Sequence, residues 1–214
     1  MKIKVLSFYT PNYELGKRTE EYNRKYCEKN GYDFVVKYNL HNDAHGRHPS
    51  WSKLPHILES LDDCDYLMWI DADAFFCNPD IRIEKWIDET KDINCSVDPG
   101  DGMGISTRIN AGVMIIKNTN WSKSFIKLIA ELPHFSVFYN NCDAQLEQGA
   151  IRYTLGHMKG VKEHFNVIMD TNFNNNTNDA DEYVRNGGFV IHLTNFQGKF
   201  SGQDTKAFMS NLKF

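Results

Sequence analysis

Asp71 and Asp73 stand one residue apart at the end of an apolar run, Tyr66–Ile70. The run is too short for a comfortable helix and reads as a strand buried on both faces. Carboxylates at the C-terminal end of such a strand lie where open α/β sheets bind ligands. Strand alternation would put both acids on one side of the chain, facing a single divalent cation. Their oxygens suit Mg²⁺ or Mn²⁺, leaving coordination positions for water and substrate phosphate. The plain alternative is a pair of solvated turn residues, because Asp is common after strands.

Other positions gain meaning beside this pair. His192 sits within the apolar stretch Val190-Ile-His-Leu193, where a lone histidine is ordinarily packed in the core. With the two aspartates it becomes a candidate third ligand, and an imidazole favours Mn²⁺ over Mg²⁺. Gly198-Lys199 offers close backbone approach and a point charge for a phosphate. Asn110-Ala111-Gly112 opens a second apolar run with small residues, fitting either a nearby ligand or tight packing on a helix. Glu147-Gln148 and Lys53, taken alone, read as solvated helix residues. Tyr9-Thr10 ends the first strand, where a nucleotide base could stack or hydrogen-bond.

The elements that must position these residues follow from periodicity. Strands are expected at 2–10, 32–38, 66–70, 93–97, 109–117, 161–169 and 188–193, with Phe75-Phe76 and Asn78-Pro79 closing the central one. Helices are expected at 18–30, stopped by Asn30-Gly31, and at 50–61, 120–132 and 143–155. Asn120 or Ser122 would cap the third of these helices. A short helix fits 81–89 and a weak one the tail 196–214, with 39–50, 98–103 and 171–181 as a polar loop, a turn and a mobile Asn-rich loop. The first strand, helix and strand make a right-handed parallel unit. The whole reads as an α/β fold with one mixed sheet flanked by helices, in a single domain over 1–214.

With 214 residues the chain can build one substantial core. A net charge of −4 speaks against a nucleic-acid partner. No apolar run approaches the roughly 20 residues that span a bilayer, and the start is too short and strand-like for a signal peptide. The five cysteines are scattered, with no Cys-x-x-Cys pair, so reduced thiols and a cytoplasmic, soluble protein are expected, with little weight on the glycosylation patterns at Asn120 and Asn175.

Taken in order, Ser7-Phe8-Tyr9-Thr10, Trp51-Ser-Lys53, Trp69-Ile-Asp71-Ala72-Asp73, Asn110-Ala111-Gly-Val-Met, Glu147-Gln148-Gly-Ala-Ile and Ile191-His192 with Gly198-Lys199 resemble nucleotide-sugar glycosyltransferases of the GT-A fold. The likeness is to the α-galactosyl- and α-xylosyltransferases of yeast and plants, more loosely to glycogenin-like enzymes, and to the chlorella virus domain that glycosylates the capsid protein. It implies a Rossmann-like GT-A fold and a Mn²⁺-dependent enzyme, Mg²⁺ being the other ion that fits. Such an enzyme moves a hexose, pentose or deoxyhexose from a UDP-sugar to a glycan or glycoprotein with retention of configuration. On this resemblance Asp73 and His192 are direct metal ligands, and Asp71 contacts the ribose and helps hold the metal. Tyr9 and Thr10 line the uridine pocket, and Ala72 and Gly198 belong to the donor site. Lys199 holds the diphosphate. Lys53, Asn110, Ala111, Glu147 and Gln148 surround the sugar, the last pair at the reaction centre. Relatives held in the Golgi begin with a membrane segment. Lacking one, this chain is expected to be soluble, conceivably in a host cytoplasm for a viral enzyme, or a domain of a longer protein. Two other classes are a haloacid-dehalogenase-type phosphatase, which also uses Asp-x-Asp but on its first strand, and a non-catalytic carbohydrate-binding domain that exploits the aromatics.

Overall fold

A computed structural model describes residues 1–42, 46–98, 108–132, 146–177 and 179–193. Six strands form the main sheet in the order β2-β1-β3-β6-β5-β7. These are β1 (Ile3–Phe8), β2 (Asp33–Lys37), β3 (Tyr66–Ile70), β5 (Ile93–Val97), β6 (Ile109–Lys117) and β7 (Phe165–Ile168). β1 runs parallel to β2 and β3, β6 is antiparallel to β3 and β5, and β5 is parallel to β7. The mixed sheet and the parallel first unit are therefore as the apolar spacing requires. β3 is central, and each of its residues is buried.

Alternation along β3 divides the core. Leu67 and Trp69 join the apolar cluster under α2 (Lys53–Ser60), α3 (Asn120–Glu131) and α4 (Glu147–His157). Tyr66, Met68 and Ile70 join the cluster on the opposite face, with Tyr26 and Cys27 of α1 (Glu14–Asn30). That second face also carries a sheet the sequence did not announce. β4 (Ala74–Phe76), β8 (Asn174–Asn175) and β9 (Val190–His192) pair in the order β4-β9-β8. Phe75 and Phe76 thus form a strand of their own, antiparallel to β9, and do not merely close the central strand. β9 lies within the strand expected at 188–193; β4 and β8, of three and two residues, are too short to show a period, which is why they and the pairing escape pattern reading.

Other departures have local causes. α1 begins at Glu14, four residues before its expected start, because Gly16 admits the Tyr9 ring: a Cβ there would lie 2.6 Å from its Cγ. α3 is capped by Thr119, whose hydroxyl accepts from the Ser122 N–H at 3.1 Å; Thr119 is extended, whereas Asn120 is already helical. The stretch 83–86 is a single 3-10 turn, and 162–164 is another, leading into β7. The segment expected as a mobile loop over 171–181 contains β8 and the start of α5 (Ala180–Arg185). It is anchored by buried Asn174, which donates to Ser96 Oγ at 3.0 Å. The expected turn at 98–103, the residues 143–145 and the tail helix lie wholly or mostly outside the described residues.

The aromatic side chains are largely interior. Tyr26 stacks on Phe76 with centroids 3.8 Å apart, and Phe189 meets both Phe76 and Trp86. Rings used this way are not a sugar-binding platform, so the carbohydrate-binding-domain reading loses its main support. Cys27, Cys64, Cys77 and Cys95 are buried free thiols. Among the described residues no helix is long and apolar enough to cross a membrane.

Candidate active site

The carboxylate pair lies in a tight turn between the two sheets. Asp71 N–H still donates to Gly112 C=O of β6 at 2.8 Å, and Asp71 C=O then accepts from Ala74 N–H at 3.0 Å. The two acids converge because of this turn, not because of strand alternation as expected. The turn is held from outside. Thr19 of α1 donates its hydroxyl to Ala72 C=O at 2.7 Å. Asn23 donates to Ala74 C=O at 3.1 Å and accepts from Phe76 N–H at 3.0 Å, satisfying the outer edge of β4. Leu193 N–H, just past β9, donates to Asp73 C=O at 2.8 Å.

Pairing of β4 with β9 places Ala74 opposite His192. The imidazole, 4% exposed, has Nε2 3.2 Å from Asp73 Oδ1 and 3.9 Å from Asp71 Oδ2. Ligand atoms of Asp71, Asp73 and His192 all lie within 4.8 Å of one another. Gly112 leaves the space for them. A Cβ there would overlap His192 Cε1 and lie 2.8 Å from Asp71 Oδ2. The close approach anticipated for Asn110-Ala111-Gly112 is therefore made by two side chains of the site. Burial alone would lower the His192 pKa, but the Asp73 carboxylate outweighs it and lifts the ring above the usual histidine range. Burial likewise pushes Asp73 up, and His192 more than reverses that, leaving it below the usual carboxylate range. His192 Nδ1 is buried with no hydrogen-bond partner among the described residues. Two hard oxygens, the imidazole Nε2 facing them and a cradle without a Cβ form a donor set that fits Mn²⁺.

Lys53, expected from its surroundings in sequence to be a surface lysine, is 3% exposed. It opens α2, and its ammonium donates to Glu147 Oε1 at 2.5 Å and Ala111 C=O at 3.0 Å, and lies 3.0 Å from Asp71 Oδ1. Burial opposes its charge, yet the Asp71 and Glu147 carboxylates raise its pKa above that of an ordinary lysine. Trp69 Nε1–H also donates to Asp71 Oδ1 at 2.6 Å, so this oxygen is committed to protein while Oδ2 turns toward His192. Glu147, also 3% exposed, is not the solvated helix residue that its type suggests, and its Oε2 is buried without a partner among the described residues. Gln148 Oε1 accepts from Ala111 N–H at 2.8 Å. Both backbone groups of Ala111 are thus engaged by the first turn of α2 or α4. Asn110 Oδ1 accepts from Gly112 N–H and from Asn174.

Tyr9 is buried with its hydroxyl donating to Glu20 Oε2 at 2.5 Å and its ring edge-on to Tyr38. Thr10 donates to Asn12 at 2.7 Å. Gly198 and Lys199 lie outside the described residues. One residue of the site was missed in the sequence. Tyr13, just before α1, has its phenol pKa raised by burial and then by the Asp73 and Asp71 carboxylates, which puts it beside the acids. Its position three residues past the strand-ending Thr10 was the only cue available.

Residues 8–98 match the model of the galactosyl transferase GMA12/MNN10 family. An uncharacterized alpha-1,2-galactosyltransferase of Schizosaccharomyces pombe is 33% identical over 89 residues, 39% of this chain but only 26% of that protein's length. The structure is similar to that of a glycosyltransferase involved in glycosylation of the major capsid of PBCV-1, with a TM-score of 0.74 and 17% identity over 98% of this chain and 99% of that one. It is similar, too, to a Drosophila beta1,4galactosyltransferase 7 mutant in complex with manganese, UDP-Gal and xylobiose, with a TM-score of 0.52 and 12% identity over 96% of this chain and 79% of that one. The fold is that of the GT-A glycosyltransferases, and the stretch 8–98, which carries Asp71 and Asp73, resembles the GMA12/MNN10 galactosyl transferases.

Proposed function

We propose that this chain is a metal-dependent glycosyltransferase that moves a sugar from a UDP-sugar to a glycan or glycoprotein acceptor with retention of configuration. The observation that carries the reading is the convergence of Asp71, Asp73 and His192 on one point, with Gly112 as its floor. The family match and the fold support sugar transfer, and the manganese and UDP-Gal bound in one structural neighbour support the donor and ion chosen. The linkages named for the similar proteins include both α and β, so the retaining course rests on the residues around Glu147 and on the resemblance of the whole motif set.

Asp71, Asp73 and His192 would hold Mn²⁺ or Mg²⁺, which when bound neutralises charge on the departing diphosphate. Lys199 adds a cation to the same phosphates. Tyr9 and Thr10 bound the uridine side, and Ala72 presents its backbone between the two acids. Lys53 fixes Glu147 and Asp71 relative to each other, and Gln148 fixes α4 to β6 through Ala111. The sugar–phosphate bond lengthens toward an oxocarbenium-like state, as in glycoside hydrolysis. Glu147 Oε2, buried and without a partner among the described residues, would stabilise the positive charge developing at the anomeric carbon. The acceptor hydroxyl attacks from the face the diphosphate leaves, and a phosphate oxygen takes its proton.

The test is UDP release from a panel of UDP-sugars, UDP-galactose first, with and without Mn²⁺. Turnover is expected to require the ion and to vanish in Asp73→Ala, and UDP with Mn²⁺ is expected to raise the melting temperature of the wild type. Near-normal metal-dependent turnover in Asp73→Ala would remove the proposed role. Inhibition by phosphate analogues with no nucleotide preference would instead favour a phosphatase.

A further inference from the structure

A second set of metal-ligating side chains lies away from Asp71, at the far end of α2. His56 and Glu59 are one helical turn apart on that helix, in the order His-x-x-Glu, and His41 reaches them from the segment after β2. His41 Nε2 is 3.0 Å from His56 Nδ1 and 3.3 Å from Glu59 Oε1, and His56 Nδ1 is 3.8 Å from Glu59 Oε2. Four-coordinate zinc with bonds of about 2.0–2.1 Å holds neighbouring ligand atoms roughly 3.3 Å apart. The distances from His41 Nε2 to His56 Nδ1 and to Glu59 Oε1 straddle that value, and the 3.8 Å from His56 Nδ1 is to the other Glu59 oxygen, Oε2. All three ligand atoms lie within 4.8 Å of one another.

The surroundings orient the donors. His56 is 1% exposed and its Nε2 lies 3.0 Å from Asn39 C=O, an acceptor only. Nε2 therefore carries the hydrogen, and the Nδ1 lone pair is turned toward His41 and Glu59. A backbone carbonyl on the distal ring nitrogen is how metal-bound histidines are commonly fixed. The Phe8 ring packs on His56 at 5.1 Å between centroids, walling one side, and Ser52 Oγ holds the His41 backbone N–H at 3.2 Å. Lys37 Nζ, 3.6 Å from Glu59 Oε2, is the neighbouring cation, and it can stay on one carboxylate oxygen while the other ligates.

We infer that His41, His56 and Glu59 form a zinc site, supplying three ligands among the described residues. Its role is structural: the ion ties the segment following β2 to α2, whose first residue is Lys53 of the sugar site. Imidazole-rich sets prefer Zn²⁺ to Mn²⁺ or Mg²⁺, so the two centres differ in the ion they select.

Zinc binding is measured by dialysis and metal analysis on the full chain carrying Asp73→Asn, which disables the other centre. That protein is expected to retain about one Zn²⁺ per chain and to show the intense visible absorption of four-coordinate cobalt when given Co²⁺. Adding His41→Gln, or separately Glu59→Gln, is expected to weaken zinc binding about tenfold or more. Both side chains are partly solvent-exposed, at 27% and 49%, so folding, checked by circular dichroism, is expected to survive. No zinc bound by the Asp73→Asn protein, or equal affinity with and without the second substitutions, overturns the inference. The readout does not involve UDP or turnover, so it stands or falls separately from the proposed sugar transfer.

Discussion

Gly112 decides whether the site can exist. Any side chain at this position displaces the His192 ring or the Asp71 carboxylate, and the buried His192 has little room to yield. Gly112→Ala is expected to cost about 1–3 kcal/mol of stability and to lower Mn²⁺ affinity at least about tenfold, read by calorimetric titration. Lys53 presents the opposite case, a buried cation shared by two acids. Lys53→Met leaves Glu147 and Asp71 uncompensated and is expected to destabilise by about 3–5 kcal/mol in urea titration. Adding Glu147→Leu is expected to recover part of that loss, because one orphaned charge goes with it. For Gln148→Ala the loss in turnover is expected to exceed the loss in UDP affinity, since the side chain grips β6 at Ala111, on the side proposed for the reacting sugar. None of these side chains announces its burial in the sequence. Lys53 and Glu147 look like surface residues until tertiary packing brings α2 and α4 against β6, which no local pattern encodes.

The elements themselves were more readable. The strands β1, β2, β3, β5, β6, β7 and β9 and helices α1 to α4 follow from apolar spacing, and Asp71-x-Asp73 stands at the end of β3 as that spacing predicts. What escaped was the pairing of β9 with β4 and β8 into a small second sheet. Its longest strands have three residues, and its stability comes from Phe75, Phe76 and Phe189 packing and from side-chain bonds, none of which is periodic. Asn23 shows the cost of such an arrangement, since one amide satisfies two backbone groups on the open edge of β4. Asn23→Ala leaves a buried carbonyl and N–H without partners, at about 1–3 kcal/mol each. Urea titration is expected to register that loss, and Mn²⁺ affinity is expected to fall as the adjoining turn loosens. The cap of α3 was placed one to three residues late because Asn120 and Ser122 are also good capping types; only the extended backbone of Thr119 distinguishes it.

For the molecule as a whole, the buried thiols set an alkaline limit. Burial pushes the Cys64 thiol up to about 11 and Cys95 to about 12, from an ordinary value of 9.0. Burial raises Cys27 and Cys77 in the same direction. Above pH 9.0 the unfolded chain releases protons that the folded chain keeps, so unfolding is favoured. The stabilisation is complete below that pH and is lost as pH climbs toward 11 to 12. Chemical denaturation midpoints are expected to decline across this window, and alkylating reagents at pH 8 are expected to label Cys27, Cys64, Cys77 and Cys95 only after denaturant is added.

The third proposed ligand also arrives late. Asp71 and Asp73 are separated from His192 by more than half the chain, and β9 fills the middle of the small sheet between strands made earlier. During synthesis, a polypeptide still waiting for Val190 at the ribosome would have both acids in place but neither the imidazole nor the neighbour that β4 requires. Cation capture is then a late event in biogenesis, and a prematurely terminated translation product would be blind to manganese however well its first half had folded.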